Sequence, residues 1–344
     1  MTTLASQIDA AWDRELAEPP PLRTSADVAR SYEAITDDWL SAVLCARHPG
    51  AQVIGHDLGP PDDGTNNRRR IHLRYNAAGT AAGLPASVFC KATFGLANRQ
   101  MLGASGGVLC EVTFHRHARA MIDIEAPRAL FAAYEPESFA SIMMFEDLGE
   151  SATFCSEETV VDRAFVVTQL ALLARLHGGF HAAPELAGSL AVLPTWYERF
   201  HRLAPFHLEE SCEAGVEAAE HFLPPALFAR RAEIWPATLA SLEAMRDLPQ
   251  TLCHGDVHLK NWYRLADGTI GLADWGVAHR GDWARDLAYT RCTALTTEHR
   301  RAWEAELVVR YLDCWPKPAA HAYHSMKRCG AIAWPCRAPS RSGP

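Results

Sequence analysis

Two short segments constrain this chain more than anything else in it. The first is Leu252-Cys253-His254-Gly255-Asp256-Val257-His258-Leu259-Lys260-Asn261 and the second is Ile270-Gly271-Leu272-Ala273-Asp274-Trp275-Gly276. In the first, an apolar lead-in meets a glycine turn that presents Asp256, and Asn261 follows five residues later. In the second, a short apolar strand delivers Asp274 just before a glycine. Phosphoryl transfer needs a carboxylate to orient and deprotonate the attacking hydroxyl, and hard oxygen ligands to hold Mg²⁺ against the phosphates. Asp256 fits the first role, and Asn261 with Asp274 the second.

The run His-Gly-Asp-x-His-x-x-Asn followed by an Asp-Trp pair resembles the aminoglycoside phosphotransferase superfamily, whose wider relatives include choline kinases. The segments VFCKATF, VHLKNWY and ADWGVAHRGDWARDLAY are most similar to bacterial ecdysteroid-kinase-like phosphotransferases. The resemblance covers residues 52–312. It implies an α+β, protein-kinase-like bilobal fold with a small β-rich N-lobe and a larger helical C-lobe. Residues 1–142 would form the nucleotide-binding N-lobe with a helical extension, and 143–344 the hinge and C-lobe. The implied activity is ATP- and Mg²⁺-dependent phosphorylation of a small-molecule hydroxyl, on an alcohol, a sterol-like or an aminoglycoside-like acceptor.

The same resemblance assigns further residues. Lys91 lies in the apolar run Val88-Phe89-Cys90-Lys91-Ala92, where a lysine is costly unless paired. Glu111 lies twenty residues on and shares a helical stripe with Phe114, Ala118 and Met121. The two invite an ion pair that holds the lysine against the nucleotide phosphates; the alternative is that Lys91 snorkels to solvent. Gly64, Thr65 and Asn66 occupy the place of the phosphate-covering loop, or form a plain hairpin loop. The neighbouring Arg68, Arg69 and Arg70 could add positive charge there, and the favoured reading is a solvated basic run. The connector Met143–Leu148 would offer backbone groups to adenine, at Glu146 and Leu148. Asp286 matches a carboxylate that ties down the catalytic turn, with a helix N-cap as the alternative. His254 reads as a brace for that turn.

The chain texture agrees with this order. A helix over residues 1–17 ends at Pro19-Pro20-Pro21, and a second runs from Thr36 to Ala46. Strands are expected over Arg70–Tyr75, Val88–Phe94 and Ser141–Phe145, with a helix over Val108–Met121 between the last two. A longer helix is expected to start at Ser156 and stop at Gly178-Gly179. Only eleven residues separate Asp274 from Asp286, too few for the activation segment of a protein kinase. The segment 184–250 should carry the acceptor pocket. It holds Trp196, Tyr197, Phe200, Phe206, Phe222, Phe228 and Trp235, and ten Asp or Glu against five Arg. The favoured reading is that its aromatics fill the core and its acids face solvent. The last 30 residues show no helical period, with an irregular tail from about 315.

A net charge of −8 disfavours nucleic acid as a partner. No apolar run reaches the roughly 18 residues of a membrane span. The N-terminus lacks the basic start and apolar block of a signal peptide. The ten cysteines are scattered without a Cys-x-x-Cys pair, which suits buried thiols in a reducing cytoplasm. Two other functions fit parts of the sequence. One is a nucleotide-binding pseudokinase module without turnover. The other is a metal-dependent hydrolase using His254, Asp256 and His258.

Overall fold

The computed structural model describes residues 4–203 and 207–316. Helix α1 (Leu4–Ala17) buries Ile8 and Ala11. Helix α2 (Asp37–Leu44) begins where the Thr36 side chain accepts from the Trp39 amide, with Asp37 and Asp38 in its first turn. Such a cap contributes about 1 kcal/mol. Strands β1 (Val53–Leu58), β2 (Asp62–Asp63) and β3 (Asn67–Tyr75) follow, then a short helix α3 (Ala77–Ala81) and strand β4 (Ser87–Ala92).

The next helix, α4 (Leu96–Ser105), has no counterpart among the expected elements. It ends at Gly106 and leads into α5 (Gly107–Thr113), which continues as a π-helical turn, Phe114–Ala118, and a 3₁₀ turn, Arg119–Met121. The π turn adds a residue to the helical cycle, so the inward stripe drifts. Phe114 and Ala118 are fully buried, but Met121 is exposed, contrary to the straight-helix expectation.

Strands β5 (Ala129–Tyr134) and β6 (Ser141–Glu146) complete an antiparallel sheet of order β1-β3-β4-β6-β5, with β2 on β3. The expected lobe border at 142/143 falls inside β6. Alternation sorts the two faces. Val88, Cys90, Ala92, Ile142 and Met144 pack against Tyr32, Trp39 and Leu40 of the N-terminal segment. Met143 and Phe145 turn the other way, onto Val108 and Val112 of α5, with Phe89 against them. Lys91 shares the face of Phe89.

The larger lobe holds β7 (Ala152–Phe154) and helices α6 (Arg163–Phe180), α7 (Trp196–Leu203), α8 (Leu208–Ala218), α9 (Pro225–Phe228) and α10 (Ile234–Arg246). Short strands β8 (Thr251–Cys253), β9 (Trp262–Leu265), β10 (Ile270–Leu272) and β11 (His279–Gly281) follow, then helices α11 (Ala284–Ala294) and α12 (Thr297–Asp313). Strand β9 pairs with β7 and β10, and β11 pairs with β8. Its core runs from Phe114 and Leu173 to Trp262, Trp275 and Tyr311.

Two expectations for α6 need correction. Its N-cap is Asp162, which accepts from the Phe165 amide at 2.7 Å, and not Ser156, whose hydroxyl accepts from Glu158 in a separate turn. Gly178-Gly179 does not stop the helix. A Cβ on Gly178 would lie 2.5 Å from Cδ of Pro316, so this glycine makes room for the end of the lobe. The aromatic Phe206 and the tail from residue 317 lie outside the described residues.

Candidate active site

The glycine turn works because Gly255 takes φ +86°, where a Cβ would sit 2.5 Å from the Val277 carbonyl oxygen. Asp286, fully buried on α11, fastens it. Its Oδ2 accepts from the His254 amide at 2.7 Å and its Oδ1 from the Gly255 amide at 3.0 Å. Asp286 lies inside the first turn of α11 and is not its N-cap. Burial alone would raise its pKa, but the hydrogen bond and charge of His177, 3.3 Å away, outweigh this and hold it well below the usual carboxylate range.

His254 is locked in one tautomer. Its Nδ1 accepts from the Asp256 amide at 3.2 Å, so Nε2–H donates to the Ala273 carbonyl, 3.0 Å away. Burial lowers its pKa and keeps the ring neutral. Both nitrogens are committed, so His254 has no lone pair to offer a metal. Among the described residues, the group with metal-ligand proximity is instead His177, Cys253 and Asp286, and Asp286 is already occupied by backbone amides. The hydrolase arrangement is therefore not what these residues build.

Asp256 is partly exposed. Its Oδ1 accepts from the Tyr289 hydroxyl at 3.1 Å, and its Oδ2 lies 3.4 Å from Asn261 Nδ2 and 3.5 Å from His258 Nε2. Asn261 is buried and donates through Nδ2 to the Asp256 carbonyl at 2.7 Å, which leaves Oδ1 as its acceptor atom. The Asn261 carbonyl in turn accepts from the Ala273 amide at 2.8 Å. Ala273, the residue before Asp274, is thus held from both sides by the first motif.

Asp274 has φ 65° and ψ 71°, a left-handed conformation that few side chains other than Asn and Asp adopt. Its Oδ1 lies 2.8 Å from Lys91 Nζ, and Lys91 also contacts Glu111 at 2.7 Å. The ammonium is buried in this pair and does not snorkel outward. Burial works to lower the Lys91 pKa, but Glu111 and Asp274 outweigh it and raise it. Asp274 is lowered against its own burial by Lys91, while burial raises Glu111. Phe114 of the helix stacks on Trp275 with centroids 3.5 Å apart and planes 2° from parallel, which ties the Glu111 helix to the Asp274 turn.

These groups face a cleft of about 660 Å³ between the lobes. Nine of the residues singled out in the sequence line it: Gly64, Thr65, Asn66, Lys91, Glu111, Glu146, Leu148, Asn261 and Asp274. Asp256, His254 and Asp286 stand beside it, joined through Asn261 and Ala273. Gly64, Thr65 and Asn66 are the tip of the β2–β3 hairpin, and Asn98 of α4 donates to the carbonyls of Gly64 and Thr65, both at 2.8 Å. At the other end, the Glu146 carboxylate pairs with Arg128 at 3.0 Å, and the Leu148 carbonyl accepts from Ser151 and Ala152. Of the arginine run, Arg68 and Arg70 line the cleft with side chains still 40% and 45% exposed, and Arg69 turns away, to Glu33 and the Tyr32 ring.

Sequence reasoning missed Tyr289 and Arg285. Arg285 donates to the Gly255 carbonyl at 2.7 Å and stands over the Trp196 ring at 3.7 Å. Burial and then Asp256 push the Tyr289 pKa up to about 12, so its phenol stays a donor. The available signal was helical spacing: both residues lie within one turn of Asp286.

No curated protein matches the sequence. Among solved structures, the macrolide 2'-phosphotransferase of Brachybacterium faecium is 18% identical, with a TM-score of 0.47 over 85% of this chain and 90% of that one. An aminoglycoside phosphotransferase of Streptomyces rimosus, solved with ADP and streptomycin, is 18% identical, with a TM-score of 0.46 over 87% and 100%. A choline kinase of Streptococcus pneumoniae is 15% identical, with a TM-score of 0.39 over 79% and 80%. The sequence model that describes the phosphotransferase enzyme family matches residues 103–321, well over half of the chain and both motifs, and the protein belongs to that family.

Proposed function

We propose that the protein transfers the terminal phosphoryl group of ATP, with Mg²⁺, to a hydroxyl of a small molecule. The observation that carries this reading is the double hold on Ala273, which joins the Asp256 turn to the Lys91–Glu111–Asp274 cluster across one cleft. The donor set fits the metal. Asn261 and Asp274 both line the cleft and offer it hard oxygen atoms, with no thiolate or free imidazole between them as donors. Bound Mg²⁺ would supply positive charge to the phosphate oxygens.

Asp256 orients the acceptor hydroxyl and takes its proton on the oxygen that Tyr289 does not hold. Tyr289, donating to Oδ1, fixes the plane of that carboxylate. Lys91, positioned by Glu111, binds phosphate. The hairpin tip at Gly64–Asn66 covers the phosphate end, and the backbone at Glu146 and Leu148 binds the base. His254 and Asp286 position the turn and touch no reactant.

The acceptor is a neutral or apolar alcohol in this reading, and not a polycation. Among the described residues of 184–250, Glu217, Glu233 and Glu243 pair with arginines on outer helix faces. The charge beside the catalytic turn is Arg285 on Trp196. No described helix is long and apolar enough to cross a membrane, and the eight described cysteines are free, which fits a cytoplasmic setting.

The test is ADP release across a panel of alcohols, with calorimetric titration of MgATP. Asp256→Ala should lower turnover by roughly 10²–10⁴ with nearly unchanged MgATP affinity, and Asp274→Ala should weaken magnesium-dependent binding. A fully active Asp256→Ala enzyme would remove the base assignment. Binding of MgATP without turnover on any alcohol would support the pseudokinase alternative.

A further inference from the structure

The two arginines of β3 that enter the cleft have no part in the roles assigned so far. The register of the sheet explains their direction. Arg68 is paired directly with Lys91 across the β3–β4 ladder, and Arg70 with Phe89. Directly opposed residues project to the same side of a sheet with Cβ atoms about 5 Å apart. Arg68 therefore stands beside the buried lysine on the cleft side, at the base of the hairpin whose tip is Gly64–Asn66.

Its surroundings say what it is for. The Arg68 guanidinium lies against the hairpin tip, with Nη2 3.5 Å from where a Cβ on Gly64 would be. Its carboxylate partner is Asp62, at 3.0 Å, with the Arg68 side chain 40% and the Asp62 side chain 66% exposed, and Arg68 Nε also donates to the Asp62 carbonyl at 3.3 Å. A pair of this kind contributes about 0–1 kcal/mol and is readily exchanged. Lys91, by contrast, is buried between two carboxylates. Arg70 differs again. It reaches across to Asp147 at 2.8 Å, a residue also held by Ser87, and so closes the base end of the cleft. Two like charges opposed on one strand pair are unfavourable. A multivalent anion between them reverses that sign, and a guanidinium presents the planar donor fork that phosphate oxygens fit.

We propose that Arg68 is a second phosphate-binding residue, which leaves Asp62 to take the outer part of a nucleotide's polyphosphate chain while Lys91 holds the inner part. The inference rests on the nucleotide reading of the cleft and goes beyond it. It makes Arg68 the residue that distinguishes a triphosphate from shorter nucleotides.

Calorimetric titration with MgATP, MgADP and adenosine tests it in wild type, Arg68→Gln, Arg68→Lys and Asp62→Asn. Arg68→Gln should weaken MgATP by roughly tenfold, the scale of one charge-assisted hydrogen bond. MgADP should weaken less and adenosine not at all, and Arg68→Lys should recover part of the loss. Asp62→Asn frees the arginine, so MgATP binding should be kept or improved. Unchanged MgATP affinity in Arg68→Gln overturns the inference, as does an equal loss for all three ligands. Asp62→Asn weakening MgATP as much as Arg68→Gln also overturns it, since the pair would then only hold the hairpin. A wild-type protein that binds none of the three overturns the nucleotide reading and this inference together.

Discussion

The Asp256 turn and the helices α7–α10 are neighbours in the same lobe, built in opposite ways. The turn itself is held by a dense set of hydrogen bonds: Asp286 holds two amides, His254 uses both ring nitrogens, and Asn261 bridges to Ala273. Trp283, Trp262 and Trp275 are buried around it. Across α7–α10 none of the described aromatics is fully buried, Phe222 is almost fully exposed, and Leu242 alone of α10 is buried. The turn is over-determined by hydrogen bonds, whereas the helices α7–α10 are more loosely packed and easier to open.

Substitutions can break this contrast. The largest effect on stability should come from Asp286→Ala, which leaves two buried amides and His177 without their acceptor. Removing one partner of a buried charged network costs about 3–5 kcal/mol. The check is a urea titration, with turnover lost in parallel. If Asp286→Ala keeps wild-type stability, the catalytic turn is not held as described.

The second effect is a pH dependence. Burial lowers the pKa of His254, and burial aided by neighbouring cations lowers those of His115 and His279 to about 3. Below about 6.5 the unfolded chain takes up protons that the folded chain refuses, so stability should fall as pH drops from 7 to 5. Asp286, with its depressed pKa, acts in the same direction only at more acidic pH. His279→Gln should flatten the slope by up to about 1.4 kcal/mol per pH unit. An unchanged slope would show that His279 is accessible to protons in the folded state.

The smallest effect belongs to the other region. Phe222→Ser should shift stability by no more than about 0.5 kcal/mol, as for an ordinary surface site. A large loss there would mean that this face is covered in the folded protein, and the contrast would disappear.

The same contrast explains what could be read in advance. Asp256, Asn261 and Asp274 could be proposed from the sequence because they stand at fixed spacing in two short motifs, and the fold brings both motifs to one cleft. Lys91 and Glu111 were legible because buried charges stand out in apolar runs. For Arg68 and Arg70 the sequence leaves two readings open, charge at the nucleotide loop and a solvated run, and the alternation of β3 around buried Ile71 and Leu73 decides which arginines face the cleft. Gly178-Gly179 was misread because the reason for Gly178 is Pro316, more than a hundred residues away. The start of α6 was misread because Ser156 and Asp162 are both good caps, and the packing of Phe165 decides between them. The segment 184–250 carries no distinguishing pattern, since partly buried aromatics and solvent-facing acids are what any surface helix carries.

The stacking of Phe114 on Trp275 has a mechanical consequence. Glu111 belongs to one lobe and Asp274 to the other, so rocking of the lobes would ordinarily add their positional errors. With the two rings face to face, a tilt of the helix carries the aspartate turn along with it. Any such displacements are then shared, which holds constant the gap that Lys91 spans.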